Sequence, residues 1–299
     1  MTLRAALSEG LRRLPRRVHT WLPADQRADL RHRLGTYRAW EVGVDLTPPP
    51  PPPGEATGPP DFVSVGAELC GVRWWSDLVA DHPAVSTRTD TALAPNYLSH
   101  FATRHFGEQE VRAYHRWYPR AEGMLAGEWA PCYLAYPWVA PLAAMAAPDA
   151  RLLVMLRDPV ERLRLGIVHA ADDRALHVGA SIADAVERGF YARQLRQWME
   201  FFPPEQVLVL QYERCVVDPE GQLAATYEFL GLDPGRRPAG GFGPDRTTVG
   251  SGDPLVPGAA ERLVAMYAAD VEDLAGLVPG FDRRLWPHFE GNGPSPTER

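Results

Sequence analysis

Phe62-Val-Ser-Val-Gly66, then Ala67-Glu-Leu-Cys-Gly71, then Val72-Arg-Trp-Trp-Ser-Asp-Leu-Val-Ala80 decide the fold of this 299-residue chain. The short apolar run predicts a buried strand from Phe62 to Val65 that runs into Gly66. The segment Val72 to Asp81 reads as a helix, stopped by His82-Pro83. Between them lies G-x-x-x-x-G, the spacing of a loop that cradles phosphate. Successive backbone N–H groups there point at an anion, and the helix N-terminus adds partial positive charge. A P-loop continues with Lys and then Ser or Thr; Val72 and Arg73 stand at those places. The alternative is a tight strand-to-helix turn that binds nothing.

Working outward, Arg151-Leu-Leu-Val-Met-Leu156 predicts a second buried strand. Asp158 is then placed as an N-cap and Pro159 at the first helical position. Ser181 to Phe202 reads as one long amphipathic helix, capped by Ser181 with Asp184 at the capping-box position. Val207 to Leu210 is a third apolar strand, and helices follow over Pro219 to Leu230 and Gly258 to Leu277. Continuous apolar strands alternating with helices predict an α/β fold, a P-loop-like parallel sheet flanked by helices.

The N-terminal region differs in texture. Residues 1–40 hold nine arginines against Glu9, Asp25 and Asp29, and Leu3, Leu7, Leu11 and Leu14 fall at helical spacing. Residues 1–46 are therefore expected as a basic helical arm, either packed on the body or making weak contact with a membrane surface or an acidic partner. Pro48 to Pro53 is an unbroken run of six prolines, so 47–60 is expected as a stiff linker. The α/β domain would then span 61–290, with a disordered tail over 291–299.

Composition narrows the function. The chain is 45% hydrophobic and 23% charged, ordinary globular values. No apolar run reaches the roughly 18 residues of a membrane helix. Cys70, Cys132 and Cys215 form no C-x-x-C pair and are too few for a disulfide scaffold, so a reducing, cytoplasmic location is expected. The Arg-rich start lacks the apolar core and small-residue cleavage site of a secretion signal. All 31 basic residues are arginine, which excludes any mechanism needing a lysine ammonium. The net charge of -7 leaves an acidic body, which does not suggest a nucleic-acid binder.

Pro60 to Gly71, ending in His82-Pro83, resembles the opening of the sulfotransferases that use 3′-phosphoadenosine 5′-phosphosulfate. Other blocks agree in order: Phe106-Gly107 and Tyr114, Gly127-Glu-Trp-Ala-Pro-Cys-Tyr-Leu134, Pro148 to Arg162, Phe202-Pro203 through Leu210, Glu213, Asp218-Pro219 and Glu228-Phe-Leu-Gly-Leu232. The resemblance covers roughly residues 60–286. It implies that Leu69, Cys70, Gly71, Val72 and Arg73 wrap the 5′-phosphosulfate of the donor, and that Arg157 pairs with its 3′-phosphate. It implies a small-molecule or glycan acceptor and no metal. Sulfuryl transfer to a hydroxyl or amine would rest on positioning and fixed positive charge.

The sequence departs from that family where the side chains matter. The loop lysine aligns with Leu69, the loop hydroxyls with Val72, Arg73 and Trp74, and a later serine with Leu165. Arg73 offers a cation from a different place. The family's general-base position falls in Thr87-Arg-Thr-Asp90, which makes Asp90 the nearest carboxylate and His100 and His105 the nearest imidazoles. Each also fits a plainer role, Asp90 as a turn residue and each His as a half-exposed helix residue. Glu128 fits either the acceptor pocket or a structural brace. Two further readings stay open: a catalytically silent binding or scaffold protein of this fold, and an enzyme of this fold with a changed donor.

Overall fold

A computed structural model describes residues 46–86, 96–172, 178–243 and 254–290. Six strands are named in chain order: β1 (Ala56–Thr57), β2 (Phe62–Gly66), β3 (Pro119–Arg120), β4 (Gly127–Trp129), β5 (Arg151–Leu156) and β6 (Val207–Gln211). The helices are α1 (Val72–Ala80), α2 (Glu108–His115), α3 (Val139–Ala146), α4 (Pro159–Asp172), α5 (Val178–Glu187), α6 (Tyr191–Met199), α7 (Tyr212–Val217), α8 (Pro219–Leu230) and α9 (Ala259–Leu277).

The main sheet has the order β4-β2-β5-β6, and every pairing in it is parallel. Its two central strands are buried on both faces, as their unbroken apolar sequences require: all of β2, and all of β5 after Arg151. The helices pack by apolar stripes. Tyr191, Leu195 and Trp198 form the buried face of α6; Leu263, Tyr267, Val271 and Leu274 form that of α9. Asp270 on α9 accepts from the Ala192 and Arg193 amides and so closes the start of α6.

Strand order explains where a site belongs. From β2 the chain moves to β4 on one side, then crosses to β5 on the other. In an open parallel sheet, the crevice for a ligand lies beyond the carboxyl end of the strand where the order reverses. Residues 67–71 leave that end of β2.

Two expectations are corrected by the structure. The helix expected from Ser181 to Phe202 is two helices, broken after Glu187 and resumed at Tyr191. Ser181 lies inside α5 rather than at its cap. The break has a packing cause: the Tyr267 ring lies where a side chain at Gly189 would go, with its hydroxyl 2.6 Å from a Cβ there. The last residues of the Pro-rich stretch also dock on the body. β1 pairs antiparallel with β3, Pro60 is buried, and Arg120 donates to the Pro59 carbonyl. The basic arm, apart from Leu46, and the tail from 291 lie outside the described residues.

Candidate functional site

The turn between β2 and α1 is shaped by its backbone. Gly71 is the N-cap of α1, with φ 84° and ψ 9°, and Leu69 also has a left-handed backbone at φ 66°. Left-handed residues in such a turn bring successive N–H groups toward one concavity. No side chain caps α1, and its first turn holds no acidic residue. The first amides of the helix thus keep the positive end of its dipole uncompensated by a carboxylate.

Protein atoms, however, cover the glycines' own faces. A Cβ on Gly71 would lie 2.7 Å from the Tyr212 ring, and one on Gly66 2.8 Å from Leu134 and from the Pro131 carbonyl. The G-x-x-x-x-G spacing is therefore needed for packing as well as for any ligand.

The predicted donor-site residues divide by environment. Cys70 and Val72 are buried. The Cys70 sulfur sits 3.6 Å from the Tyr191 hydroxyl and 3.7 Å from the Glu68 carbonyl; burial pushes its thiol up to about 11, so it is inert near neutrality. Arg73 is exposed in the first turn of α1. Leu69 turns its side chain toward α4, where its Cδ1 would be 3.3 Å from a Cβ on Gly166. Leu165, beside it, is buried. The Leu69 side chain thus rests on α4 at Gly166. Trp75 is core, bonded to the Thr226 hydroxyl. Trp74 is a wall: its indole donates to the Phe242 carbonyl and meets Tyr212 edge-on.

Arg157, at the end of β5, is 7% exposed and lies 4.4 Å from the centre of the Tyr212 ring. Tyr212 also lies against Gly71, so Arg157 stands across that ring from the turn. The next residue organises the junction. Asp158 caps α4, its Oδ1 accepting from the Val160 and Glu161 amides. Its Oδ2 accepts from the His288 amide and contacts the His288 ring. Glu213 accepts from the Asp158 amide and the Trp286 indole, and burial raises it to about 7. Hydrogen bonding to Asp158 raises His288.

On the acceptor side, Asp90 lies outside the described residues. His100 sits half-buried in a short 3-10 helix over Tyr97–Phe101, while His105 is exposed. Glu128 is a brace: it is 1% exposed and accepts from the Tyr114 and Tyr133 hydroxyls. Burial raises it to about 7. Tyr133 in turn accepts from the Leu98 amide, so Glu128 fixes the segment that carries His100.

Sequence reasoning missed a strip of side chains that connects these parts. Arg188 ion-pairs with Glu68 in the loop and with Asp184. It also donates to the Tyr136 hydroxyl and lies over that ring. Tyr136 stacks on Trp138 at 4.7 Å, and Trp138 donates to the Ser99 carbonyl. Arg162 reaches the loop as well, donating to the Glu68 carbonyl. Its only signal in the sequence was its place in the Pro148 to Arg162 block. Among the described residues no cluster of side chains suits a metal ion, and no helix is long and apolar enough to cross a membrane.

Comparison with known proteins follows the same lines. The model of the sulfotransferase family matches residues 73–234, beginning just after the divergent turn. Mouse heparan sulfate glucosamine 3-O-sulfotransferase 3A1 is 28% identical over 195 residues, covering 58% of this chain and 46% of that protein. Human heparan sulfate glucosamine 3-O-sulfotransferase 6 is 28% identical over 196 residues, covering 59% and 55%. The chain thus spans about half the length of these relatives. A sulfotransferase structure from Alicyclobacillus acidocaldarius superposes with a TM-score of 0.58 at 23% identity, covering 76% of this chain and 98% of that one; it supports the fold.

Proposed function

The chain belongs to the sulfotransferase family, and from that premise we propose that it transfers a sulfuryl group from 3′-phosphoadenosine 5′-phosphosulfate to a hydroxyl or amine. The observation that carries this reading is the uncapped N-terminus of α1 at the sheet's switch point, with Arg157 beside it. The donor supplies the activated sulfuryl group. The chain supplies the amides of the turn for the phosphosulfate, Arg157 for the 3′-phosphate, and exposed Arg73 as a further cation at the rim. Fixed dipoles of this kind stabilise charge on the leaving phosphate without reorganising. No ammonium or hydroxyl side chain assists them at Leu69, Val72 or Leu165. The names of the relatives favour a glycan hydroxyl as acceptor over a small metabolite. The half-buried strip of Tyr136 and Trp138 next to the loop suits a sugar ring.

A second reading is a protein of this fold that binds the nucleotide without transferring sulfur. The Tyr212 ring favours it, because it lies against both Gly71 and Arg157. Calorimetry with adenosine 3′,5′-bisphosphate, followed by transfer assays from labelled donor to glycan and small hydroxylated acceptors, separates the two. Micromolar binding that weakens in Arg157→Ala and Arg73→Ala, with label transferred, is expected. Binding without transfer to any acceptor selects the second reading. No binding up to millimolar nucleotide overturns both.

A further inference from the structure

Arg162 is among the largest fully buried side chains, at 2% exposure. Other guanidiniums near the site sit against carboxylates: Arg188 with Glu68 and Asp184, and Arg164 with Glu161. Arg162 does not. Its Nε donates to the Glu68 carbonyl at 3.1 Å and its Nη1 to the Ala185 carbonyl at 2.5 Å. Among the described residues no carboxylate lies within ion-pair distance of it. Burying a cation without a counter-ion is costly. Two carbonyl dipoles offset part of that cost but do not cancel the field.

That field is directed at the loop. Glu68 and Leu69 share one peptide unit, and the only cis peptide among the described residues is the bond from Gly66 to Ala67. In a trans unit the C=O and N–H point opposite ways. Arg162 takes the carbonyl on one side, so the Leu69 N–H faces away from it. A charged donor on the carbonyl polarises the unit and makes its N–H a stronger donor. Among the described residues, no protein acceptor takes that N–H. The helix geometry is consistent, since Arg162 and Gly166 lie one turn apart on α4, and Gly166 is where the Leu69 side chain rests.

Resting on the donor-binding reading above, we propose that Arg162 is a positioning residue. Acting through the Glu68–Leu69 peptide, it gives the turn the positive charge that the side chain at Leu69 lacks. The anion would be the phosphate of the nucleotide, met by a polarised main-chain amide in place of an ammonium.

The test is calorimetry with adenosine 3′,5′-bisphosphate on the full chain, comparing the wild type with Arg162→Met, Arg162→Lys and Arg157→Ala. Thermal unfolding is recorded for each. The expected result is a loss of about tenfold or more in affinity for Arg162→Met, with most of it restored in Arg162→Lys, which keeps the charge. Affinity in folded Arg162→Met within twofold of wild type, while Arg157→Ala binds weakly, overturns this inference and leaves the donor reading intact. A wild type that does not bind removes the donor reading itself. Should Arg162→Met not fold, amide NMR of the wild type decides. The Leu69 N–H and Arg162 Nε–H signals are expected to move together, the former downfield, as nucleotide is added. A Leu69 amide that stays in place while the nucleotide binds overturns the proposal.

Discussion

The turns after β2 and β5 lie side by side at one end of the sheet, and both lead into helices, but they end differently. The turn into α4 is sealed by its own sequence. Asp158 takes two first-turn amides with one oxygen and His288 with the other, and Glu213 takes the Asp158 amide. The turn into α1 has no side-chain cap at all. A helix N-terminus closed by its own carboxylate has spent its affinity for anions, whereas an open one has kept it. The comparison therefore shows a turn after β5 closed by side-chain bonds and a turn after β2 left open, as the proposed donor site requires. Arg162, from the helix that the first turn opens, reaches the second by donating to the Glu68 carbonyl.

Breaking the sealed turn should have the largest effect. Asp158→Ala removes two cap bonds and the partner of His288, and leaves the surrounding buried polar groups unmatched. About 3–5 kcal/mol of stability should go, lowering the Tm by roughly 10 °C in a domain of this size. Arg73→Ala in the open turn, where no cap exists, should leave the Tm almost unchanged. Calorimetric scans of the two variants check the contrast; equal losses would contradict it.

Acidity probes the same network. Glu213 and Glu128 both titrate near 7 in the folded chain, against 4.5 ordinarily. The folded state therefore holds protons that the unfolded state releases, and stability falls as pH rises from about 4.5 to about 7. His288 is raised above 6.5 by Asp158. Its contribution is complete below 6.5 and fades as pH climbs through the folded value. All three act in one direction, so the Tm should be several degrees lower at pH 8 than at pH 6. Glu128→Gln, whose neighbours Tyr114 and Tyr133 can reorient their hydroxyls, should flatten part of that slope. A Tm that rises over this interval would contradict the assignment.

How much of this could be read from residues alone follows from the range of each contact. β2 and β5 announce themselves by continuous apolar runs, and the Asp158 cap by its place just before Pro159. These are local signals. The split between α5 and α6 is not local, because it depends on Tyr267 seventy-eight residues beyond Gly189. The same holds for the cations of the site. Arg162 and Arg188 meet Glu68 across 94 and 120 residues. In a chain with 31 arginines and no lysine, no one guanidinium stands out by type. Tyr212, which seats Arg157 and covers Gly71, lies two residues beyond the predicted strand and carried no signal of its own.

Arg157 sharpens the comparison from the ligand side. Arg157→Ala should weaken binding of adenosine 3′,5′-bisphosphate by roughly ten- to a hundredfold, the worth of one charged hydrogen-bonding group at about 1.5–3 kcal/mol. Because its guanidinium lies on the face of Tyr212 and not in the cap of α4, the Tm should fall much less than in Asp158→Ala. A variant that loses stability but not affinity would assign Arg157 to the sealed turn.

The smallest change is the most informative about the open turn. Leu69 is half-buried, its side chain lying along α4 toward Gly166. A lysine there can lay its methylene stem on the same surface and carry its ammonium outward, so Leu69→Lys should cost no more than about 1 kcal/mol of stability. If phosphate binding at the turn is limited by positive charge, the added ammonium should tighten nucleotide binding by about tenfold at low salt. Most of that gain should vanish at about 1 M salt, where the Debye length is only about 3 Å. If the polarised amides already saturate the site, affinity should not change, and the ammonium would merely add a rim charge. A loss of affinity would mean that the Leu69 side chain holds the left-handed backbone in place, and that the geometry of the turn, not its charge, sets how well it binds an anion.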